Sequence, residues 1–313
     1  MTLIFDRQVQ VQVRERLADA GLTHLDGVCQ RFAATAWWMH PTEPGATGAS
    51  RLGGAPDLPA GAEWPVDAAG RRGNFFGQLD LATLPAEAGL ASSGLLSLFT
   101  TYLDNAAEPV TVATVLTPAG TALAPVAASE DDDDYADPDT GYLSPVGVRL
   151  EPMVSLPFTQ ADFLDAFLGA CRDDDELYEL QEAFPDASEE TIGQLGGFGN
   201  PHSGDDFRRV LAFHRHGHPD AQWCDRYETR AEYLASIVPG EPPQRYAADY
   251  EWIFDNAEAL AAETAQTRLL LRIDSNHPMR LNLMDWDPIY FYGPTDELAA
   301  GRFERVEAMV TQG

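Results

Sequence analysis

Two short segments that each end in Leu-Gly-Gly constrain the fold more than any other feature of this sequence. Residues 50–54 read Ser-Arg-Leu-Gly-Gly, and residues 193–197 read Gly-Gln-Leu-Gly-Gly. Further along, residues 75–80 (Phe-Phe-Gly-Gln-Leu-Asp) resemble residues 269–274 (Leu-Leu-Leu-Arg-Ile-Asp), and each block precedes an apolar, strand-like run. Because both pairs of blocks occur in the same order, the sequence predicts a chain of two loosely repeated halves.

The periodicity of apolar residues predicts the fold class. Short apolar runs between turn residues, such as 74–81 and 110–116, are typical of strands, whereas the apolar residues of segment 6–20 share one helical face. We therefore predict an α+β fold with mostly antiparallel sheets, packed helices and two loosely repeated halves in one domain. This domain spans 1–313, with halves at 1–128 and 141–313 and an insert near 203–267. Residues 28–38 are predicted as a strand and residues 296–310 as a closing helix.

The net charge excludes several classes of partner. The chain has 50 acidic and 20 basic residues, all of the basic ones arginine, so its formal charge is -30. Because nucleic acids and anionic membranes are negative as well, we expect neither as a partner. The three cysteines are widely spaced and form no Cys-x-x-Cys motif, which is typical of a reducing compartment. With no secretory leader and no long apolar run, the sequence predicts a cytoplasmic protein.

Acidic residues are concentrated between residues 173 and 207, where eleven Asp or Glu occur without an Arg. Such a surface favours a basic protein partner, because complementary charge accelerates association. Adaptation of the whole sequence to high salt is the alternative explanation. A second acidic run, residues 129–139, is predicted to be a solvated loop between the halves. The predicted partner-binding residues are Asp173, Asp174, Asp175, Glu176, Glu179 and Glu182.

A second candidate site follows from the internal similarity. Gln78 and Arg272 occupy equivalent positions in otherwise apolar strands, so burying them requires polar partners or a ligand. The turn at residues 53–54 could present N–H groups to an anion, and two carboxylates could meet in a cleft between the halves. Tight turns, bonded loop carbonyls and capped strand ends are the structural alternatives. The predicted ligand-binding residues are Gly53, Gly54, Gln78, Asp80, Arg272 and Asp274.

Three closely spaced histidines raise the question of a metal site. His214, His216 and His218 would share one face of an extended segment, with Cys224 nearby. The glycine and proline within the segment favour a turn instead. The sequence therefore predicts no metal and no cofactor. It also assigns no catalytic residue, because no nucleophile or base accompanies the carboxylates at a recognisable spacing.

Several of these segments resemble the YwqG-like family, a bacterial domain family of unknown function. The resemblance rests on residues 50–59, 64–65 and 76–81 in the first half, and on residues 195–198, 269–274 and 289–291 in the second. Arg272 stands where relatives usually carry glutamine. The resemblance implies an α+β domain that is mostly intracellular and has no established reaction. It also implies similarity to proteins suggested to act as immunity factors, which neutralise toxin domains in the cytoplasm.

Together these features favour a non-catalytic intracellular binding protein, whose acidic surface docks a basic protein such as a toxin domain. The alternative is a small-ligand-binding protein or an enzyme that uses a cleft between the two halves. A deep pocket with perturbed titratable groups would favour the alternative.

Overall fold

A computed structural model of the chain describes residues 7–66, 70, 72–100, 109–110, 112–126, 143–173, 175–185, 188, 190–201, 203–224, 227, 229–237, 245–276, 278–281, 283 and 287–310. The acidic run predicted at 129–139 lies outside these residues. The described strands are β1 (Ala34–Thr42), β2 (Arg51–Leu52), β3 (Asp57–Pro59), β4 (Asn74–Asp80), β5 (Leu95–Thr100), β6 (Val112–Thr117), β7 (Leu123–Pro125), β8 (Val146–Ser155), β9 (Gly193–Gly196), β10 (Thr267–Ile273), β11 (Ile289–Pro294) and β12 (Glu307–Val310). The described α-helices are α1 (Arg7–Asp19), α2 (Asp26–Phe32), α3 (Ala161–Leu168), α4 (Glu176–Ala183), α5 (Phe207–Arg215), α6 (Arg230–Ser236), α7 (Ala247–Gln266) and α8 (Thr295–Ala299).

Ten of these strands form one continuous sheet in the order β12-β11-β10-β9-β1-β8-β2-β4-β5-β6. Every neighbouring pair is antiparallel. A bridge between Val110, which precedes β6, and Ala308 of the opposite edge strand nearly closes the sheet on itself. The predicted α+β class with two loosely repeated halves is therefore wrong, although the strand direction agrees. The strands form one nearly closed sheet, because β1 and β8 pair along nine residues and link the strands on their two sides.

The inner face of this sheet encloses the largest hydrophobic cluster, which we call the central core. It includes Leu79 of β4, Leu98 of β5 and Leu271 of β10, all buried. Phe76 and Phe291 meet in it with ring centroids 6.1 Å apart and planes inclined at 65°. Because β4 and β11 are far apart in strand order, this contact requires a strongly curved sheet.

Helices cover the outer face of the sheet in two groups. The first group, α1 to α4, packs Val13, Leu17, Phe163 and Leu180 against residues of β8. The second group, α5 to α7, has its own buried aromatic cluster that includes Tyr233 and Tyr250. No described helix has both the length and the apolar character needed to cross a membrane.

Two local predictions are corrected by the structure. Residues 26–32 form α2, and the strand predicted at 28–38 begins only at Ala34, because Cys29 and Ala33 bury one helical face against α1 and α3. The closing helix predicted at 296–310 ends at Ala299. Gly301 adopts a positive φ of 74°, which is typical of a helix end, and residues 307–310 then pair with β11.

Curvature of the sheet can be tested through the two rings that meet in its core. We expect Phe76→Ala and Phe291→Ala each to lower the free energy of unfolding by about 3–5 kcal/mol. The double variant should lose about 0.5–1.5 kcal/mol less than the sum of the two, because the rings contact each other. Denaturant unfolding measures all three values. Leu168→Ala, at a side chain that is 64% exposed, is the control, and strictly additive losses would contradict the contact.

Candidate functional site

The first glycine turn carries a buried polar cluster on the outer face of the sheet. Arg51 of β2 lies opposite Gln78 of β4, and Asp57 of β3 contacts both side chains. Arg51 Nη1 donates to Asp57 Oδ2 at 2.6 Å, and Gln78 Nε2 donates to the same oxygen at 2.8 Å. Gln78 Oε1 accepts the backbone N–H of Asp57 at 2.9 Å. These hydrogen bonds replace water that the buried groups have lost, although Asp57 Oδ1 is buried without a described hydrogen-bond partner.

The Gly53-Gly54 turn uses both of its N–H groups inside the protein. Gly53 donates to the carbonyl of Phe76 at 2.9 Å, and Gly54 donates to that of Leu143 at 2.7 Å. A Cβ on Gly54 would lie 2.7 Å from the side chain of Pro145, so the turn is tightly packed. Each N–H is a single donor, and neither is left for an anion.

At the second glycine turn the glutamine lies on the short strand and the arginine on the long one, the reverse of the first turn. Gln194 of the short strand β9 lies opposite Arg272 of the long strand β10. Arg272 is 2% exposed, and its Nε lies 2.8 Å from Asp274 Oδ1. Gln194 Nε2 donates to the carbonyls of Gly196 at 2.7 Å and Phe198 at 3.1 Å. Its amide therefore anchors the turn that follows its own strand.

The structure does not bring Gln78 and Arg272 into one cleft. Four strands lie between β4 and β10 in the sheet, which corresponds to about 24 Å along it. Asp80 caps the turn after β4 by accepting the N–H of Ala82 at 3.1 Å, and Asp274 stays beside Arg272. The six predicted ligand-binding residues thus fall into two separate clusters, because each long strand presents its polar residue to its own glycine turn.

A cavity of about 720 Å³ opens beside the second glycine turn. Strand β9 ends at Gly196, but its neighbours continue: residues 34–35 of β1 pair only with β8, and residues 267–269 of β10 pair only with β11. Because β1 and β10 both flank β9, they lie two strand spacings, about 10 Å, apart. The cavity therefore occupies the gap in the sheet where β9 would continue. We call it the strand-gap cavity.

Two turns of the chain line the strand-gap cavity together with the open strand ends. Residues 196–199 line it after leaving β9, and the segment 86–89 lines it after β4. Phe198 N–H donates to Ser155 Oγ at 3.0 Å, and the Gly199 carbonyl accepts from Thr159 Oγ1 at 3.4 Å, which holds the glycine segment in place. Over the whole lining most described residues are apolar or glycine, including Val9, Trp37 and Leu269, and Glu87 supplies a carboxylate.

Arg268 is the notable cation of this lining. Its Nη1 donates to the carbonyl of Ala88 and its Nη2 to that of Gly89, both at 2.9 Å. No described carboxylate pairs with it, its buried Nε has no described hydrogen-bond partner, and burial lowers the pKa of its guanidinium. Arg208, the other cation of the lining, is already neutralised by Asp206 through hydrogen bonds of 2.6 and 2.9 Å.

Tyr292 supplies a neutral donor to the same cavity. The residue is 2% exposed, and no described residue accepts from or donates to its hydroxyl. Burial raises its pKa well above the ordinary value, and the nearby Tyr290 and Asp206 raise it further. The phenol therefore keeps its proton at neutral pH and can donate one hydrogen bond to a ligand.

The structure places the predicted acidic surface on and before α4. Asp173, Asp175, Glu179 and Glu182 are exposed, whereas Asp174 lies outside the described residues. Glu176 is buried instead, where it accepts the backbone N–H of Arg172 at 2.8 Å and contacts His24 Nε2 at 3.0 Å. These two hydrogen bonds hold its pKa below the ordinary value despite its burial. Glu176 therefore serves the packing of α4.

The histidine segment joins two helices. His216 Nε2 lies 2.8 Å from Glu263, and His218 Nδ1 lies 2.9 Å from Asp249 while its ring stacks on Trp252. Over the described part of the chain, no three His, Cys, Asp or Glu side chains converge as metal ligands do.

The sequence motifs identify both glycine turns but not the residues that line the cavity at the second turn. Residues 195–197 repeat the Leu-Gly-Gly of residues 52–54, yet the predicted ligand-binding residues include only Gly53 and Gly54. Arg268 and Tyr292 carry weak signals, since each is a single polar-tipped residue beside an apolar strand run. Their importance depends on how far β1 and β10 continue past the glycine turn that ends β9, which the sequence does not mark.

Comparison with known proteins gives one finding. A family model described as a domain of unknown function, DUF1963, matches residues 50–310. No curated protein matches the chain significantly. The matched range includes both glycine turns, β10 with Arg268, and β11 with Tyr292.

The buried carboxylate of Asp57 makes a testable contribution to stability. Burial alone would raise its pKa, but hydrogen bonds from Arg51, the Gly48 N–H and Gln78 outweigh burial and lower the pKa below its ordinary value. Ionised Asp57 therefore stabilises the fold above its unfolded pKa of about 3.9, and this contribution is lost as the pH falls through the folded pKa.

We expect Asp57→Asn to lower the free energy of unfolding at pH 7 by about 3–5 kcal/mol, because Arg51 loses its buried partner. The stability of the variant should also fall less steeply between pH 5 and pH 3, a range of about two units around the unfolded pKa. Denaturant unfolding at several pH values measures both effects. Asp175→Asn, at an exposed carboxylate, is the matched control, and equal losses in the two variants would refute the role of Asp57.

Proposed function

Because this chain belongs to the DUF1963 family, a family of domains of unknown function, we propose its role from its own geometry: it binds a small ligand in the strand-gap cavity. The volume of about 720 Å³ lies within the range of about 300–1,000 Å³ that is usual for ligand sites. The lining combines apolar residues with a few polar groups, which is also usual for such sites.

The observation that carries this proposal is the pair of unsatisfied polar groups at the cavity. Arg268 donates to two backbone carbonyls, but its buried Nε has no described hydrogen-bond partner, and the Tyr292 hydroxyl has no described partner either. Buried polar groups are normally satisfied, so exceptions beside a cavity favour a ligand that supplies the partners.

The difference between the two glycine turns supports the same conclusion. At the first turn, the Gly54 N–H reaches the carbonyl of Leu143. At the second turn, no described carbonyl accepts from the Gly197 N–H, although this glycine lines the cavity. The chain fills the first position with its own backbone, and we propose that a ligand fills the second.

Nile red, an uncharged apolar dye, tests whether the cavity accepts a ligand at all. We expect saturable fluorescence enhancement with one dye per chain. Ala265→Trp places an indole at the cavity lining and should weaken binding at least about tenfold, or about 1.4 kcal/mol. Fluorescence titration measures the dissociation constant.

Ala262→Trp is the matched control, because this exposed residue lies on the same helix but does not line the cavity. Its dissociation constant should equal that of the unmodified protein. Absence of saturable binding, or equal weakening in both variants, would refute a ligand site in the cavity.

The acidic surface is a second candidate for function, as a docking site for a basic protein. Leu168 and Tyr178 are 64% and 65% exposed, and they accompany the exposed acids of α4 and the segment before it. Tyr178 lies beside Glu182, and tyrosine is enriched in protein interfaces. The resemblance to YwqG-like proteins, if it extends to function, would make this partner a cytoplasmic toxin domain.

Charge reversal tests the acidic surface. We expect the unmodified protein, immobilised at low salt, to capture one basic protein from lysate of its source and release it as salt rises. The variant with Asp173→Arg, Asp175→Arg, Glu179→Arg and Glu182→Arg should not capture it. The variant with Glu63→Arg, Asp220→Arg, Glu258→Arg and Glu304→Arg has the same net charge and should still do so. Equal capture by both variants would argue against this surface.

A further inference from the structure

Resting on the proposed ligand site, we propose that its ligand is a short extended peptide. The peptide inserts as an additional strand between β1 and β10, and its C-terminal carboxylate pairs with Arg268.

The dimensions of the gap match one strand. Its walls, β1 and β10, are two strand spacings apart, so one further strand can lie between them at the normal spacing on both sides. The open stretch of β10 is residues 267–269, which corresponds to about 10 Å of extended chain. The gap therefore accommodates about three residues of a peptide.

The open strand ends also supply the hydrogen-bonding groups that a strand requires. Residues 34–35 are paired on one edge by β8, and residues 267–269 are paired on one edge by β11. In an antiparallel sheet, successive residues direct their N–H and C=O groups to opposite neighbours. The N–H of Thr267 is taken by the carbonyls of Glu263 and Thr264 at the end of α7, and the other backbone groups that the two walls direct into the gap can pair with a peptide backbone. Addition of a peptide strand to an open edge is a known mode of recognition.

The direction of the inserted strand follows from β9. A peptide that continues the line of β9 is antiparallel to both walls, and its chain runs from Gly196 toward Thr267. Its C-terminus then lies near the start of β10, beside Arg268. The guanidinium has five N–H donors, of which the carbonyls of Ala88 and Gly89 occupy two.

The remaining lining indicates which peptides fit. Arg208 is neutralised by Asp206, so Arg268 is the one described cation of the lining without a carboxylate. The carboxylate of Glu87 also lines the cavity, so a ligand with one negative charge, such as a C-terminal carboxylate, is repelled less there than a doubly charged group. Trp37, Phe198 and Leu269 favour small apolar side chains on the peptide.

Displacement of Nile red by acetyl-Ala-Val-Ala with a free C-terminus tests the proposal. We expect this tripeptide to displace the dye in a saturable manner. Methylation of the backbone nitrogen of its second or of its third residue should weaken displacement about tenfold in either case. A strand flanked on both sides uses consecutive N–H groups toward opposite neighbours, so neither position tolerates methylation.

The role of Arg268 is tested with the C-terminal amide of the same tripeptide. We expect the amide to bind about tenfold more weakly than the acid, because a charge-assisted hydrogen bond is lost. In Arg268→Gln, the acid and the amide should bind equally. Arg149→Gln, at an exposed arginine of β8, is the control and should retain the preference for the acid.

The outcomes separate this inference from the function on which it rests. If Nile red binds but the tripeptide does not displace it, or if methylation has no effect, the peptide class is wrong and the ligand cavity stands. If the methylated peptides weaken as expected but the acid and amide bind equally to the unmodified protein, the pairing with Arg268 is wrong. If Nile red itself fails to bind, both proposals fail.

Discussion

The antiparallel pairing of β1 with β8 is the interaction on which the rest of the structure depends. Nine consecutive residue pairs join a strand from the start of the chain to one from its middle. On the far side of β1 lie β9 to β12, and on the far side of β8 lie β2, β4, β5 and β6. Strands from distant parts of the sequence thereby become one sheet, whose curvature encloses the central core. Without this pairing, neither wall of that core would be complete.

The two glycine turns show how a small difference in backbone placement separates a closed, packed turn from one that lines a cavity. Both turns follow a very short strand, and both are anchored by a buried arginine and glutamine in opposite arrangement. At the first turn, the carbonyls of Phe76 and Leu143 accept the glycine N–H groups. At the second turn, the flanking strands continue without a partner between them, and the strand-gap cavity opens. A carboxylate neutralises the arginine in each anchor, whereas Arg268, which belongs to neither anchor, has no described carboxylate partner at the cavity.

Local pattern predicted many elements well. The strand predicted within residues 74–81 is confirmed as β4, and the helix predicted in segment 6–20 is confirmed as α1, since alternation and helical spacing are local properties. The closing segment was mispredicted, because residues 307–310 form a strand only through pairing with β11. The fold class failed for the same reason: periodicity identifies strands, but it does not identify their partners. Likewise, Gln78 and Arg272 are polar residues in apolar strands, as the sequence predicts. They do not share a cleft, because four strands separate β4 from β10 in the sheet.

The sequence by itself determined the individual strands and helices, the need for positive φ at the glycine turns, and the strong negative charge. The strands, helices and turns depend on residues close together in the chain, and the net charge is the sum of the charged side chains. Tertiary structure alone decided that ten strands form one sheet and that the N–H groups of Gly53 and Gly54 are hydrogen-bonded within the protein. It also decided that Arg268 and Tyr292 line a common cavity. The physical reason is that a strand gap is defined by where three strands end relative to one another. That relation depends on pairing between residues 156–160 positions apart for β1 with β9 and 76–80 positions apart for β9 with β10, and no local pattern encodes it.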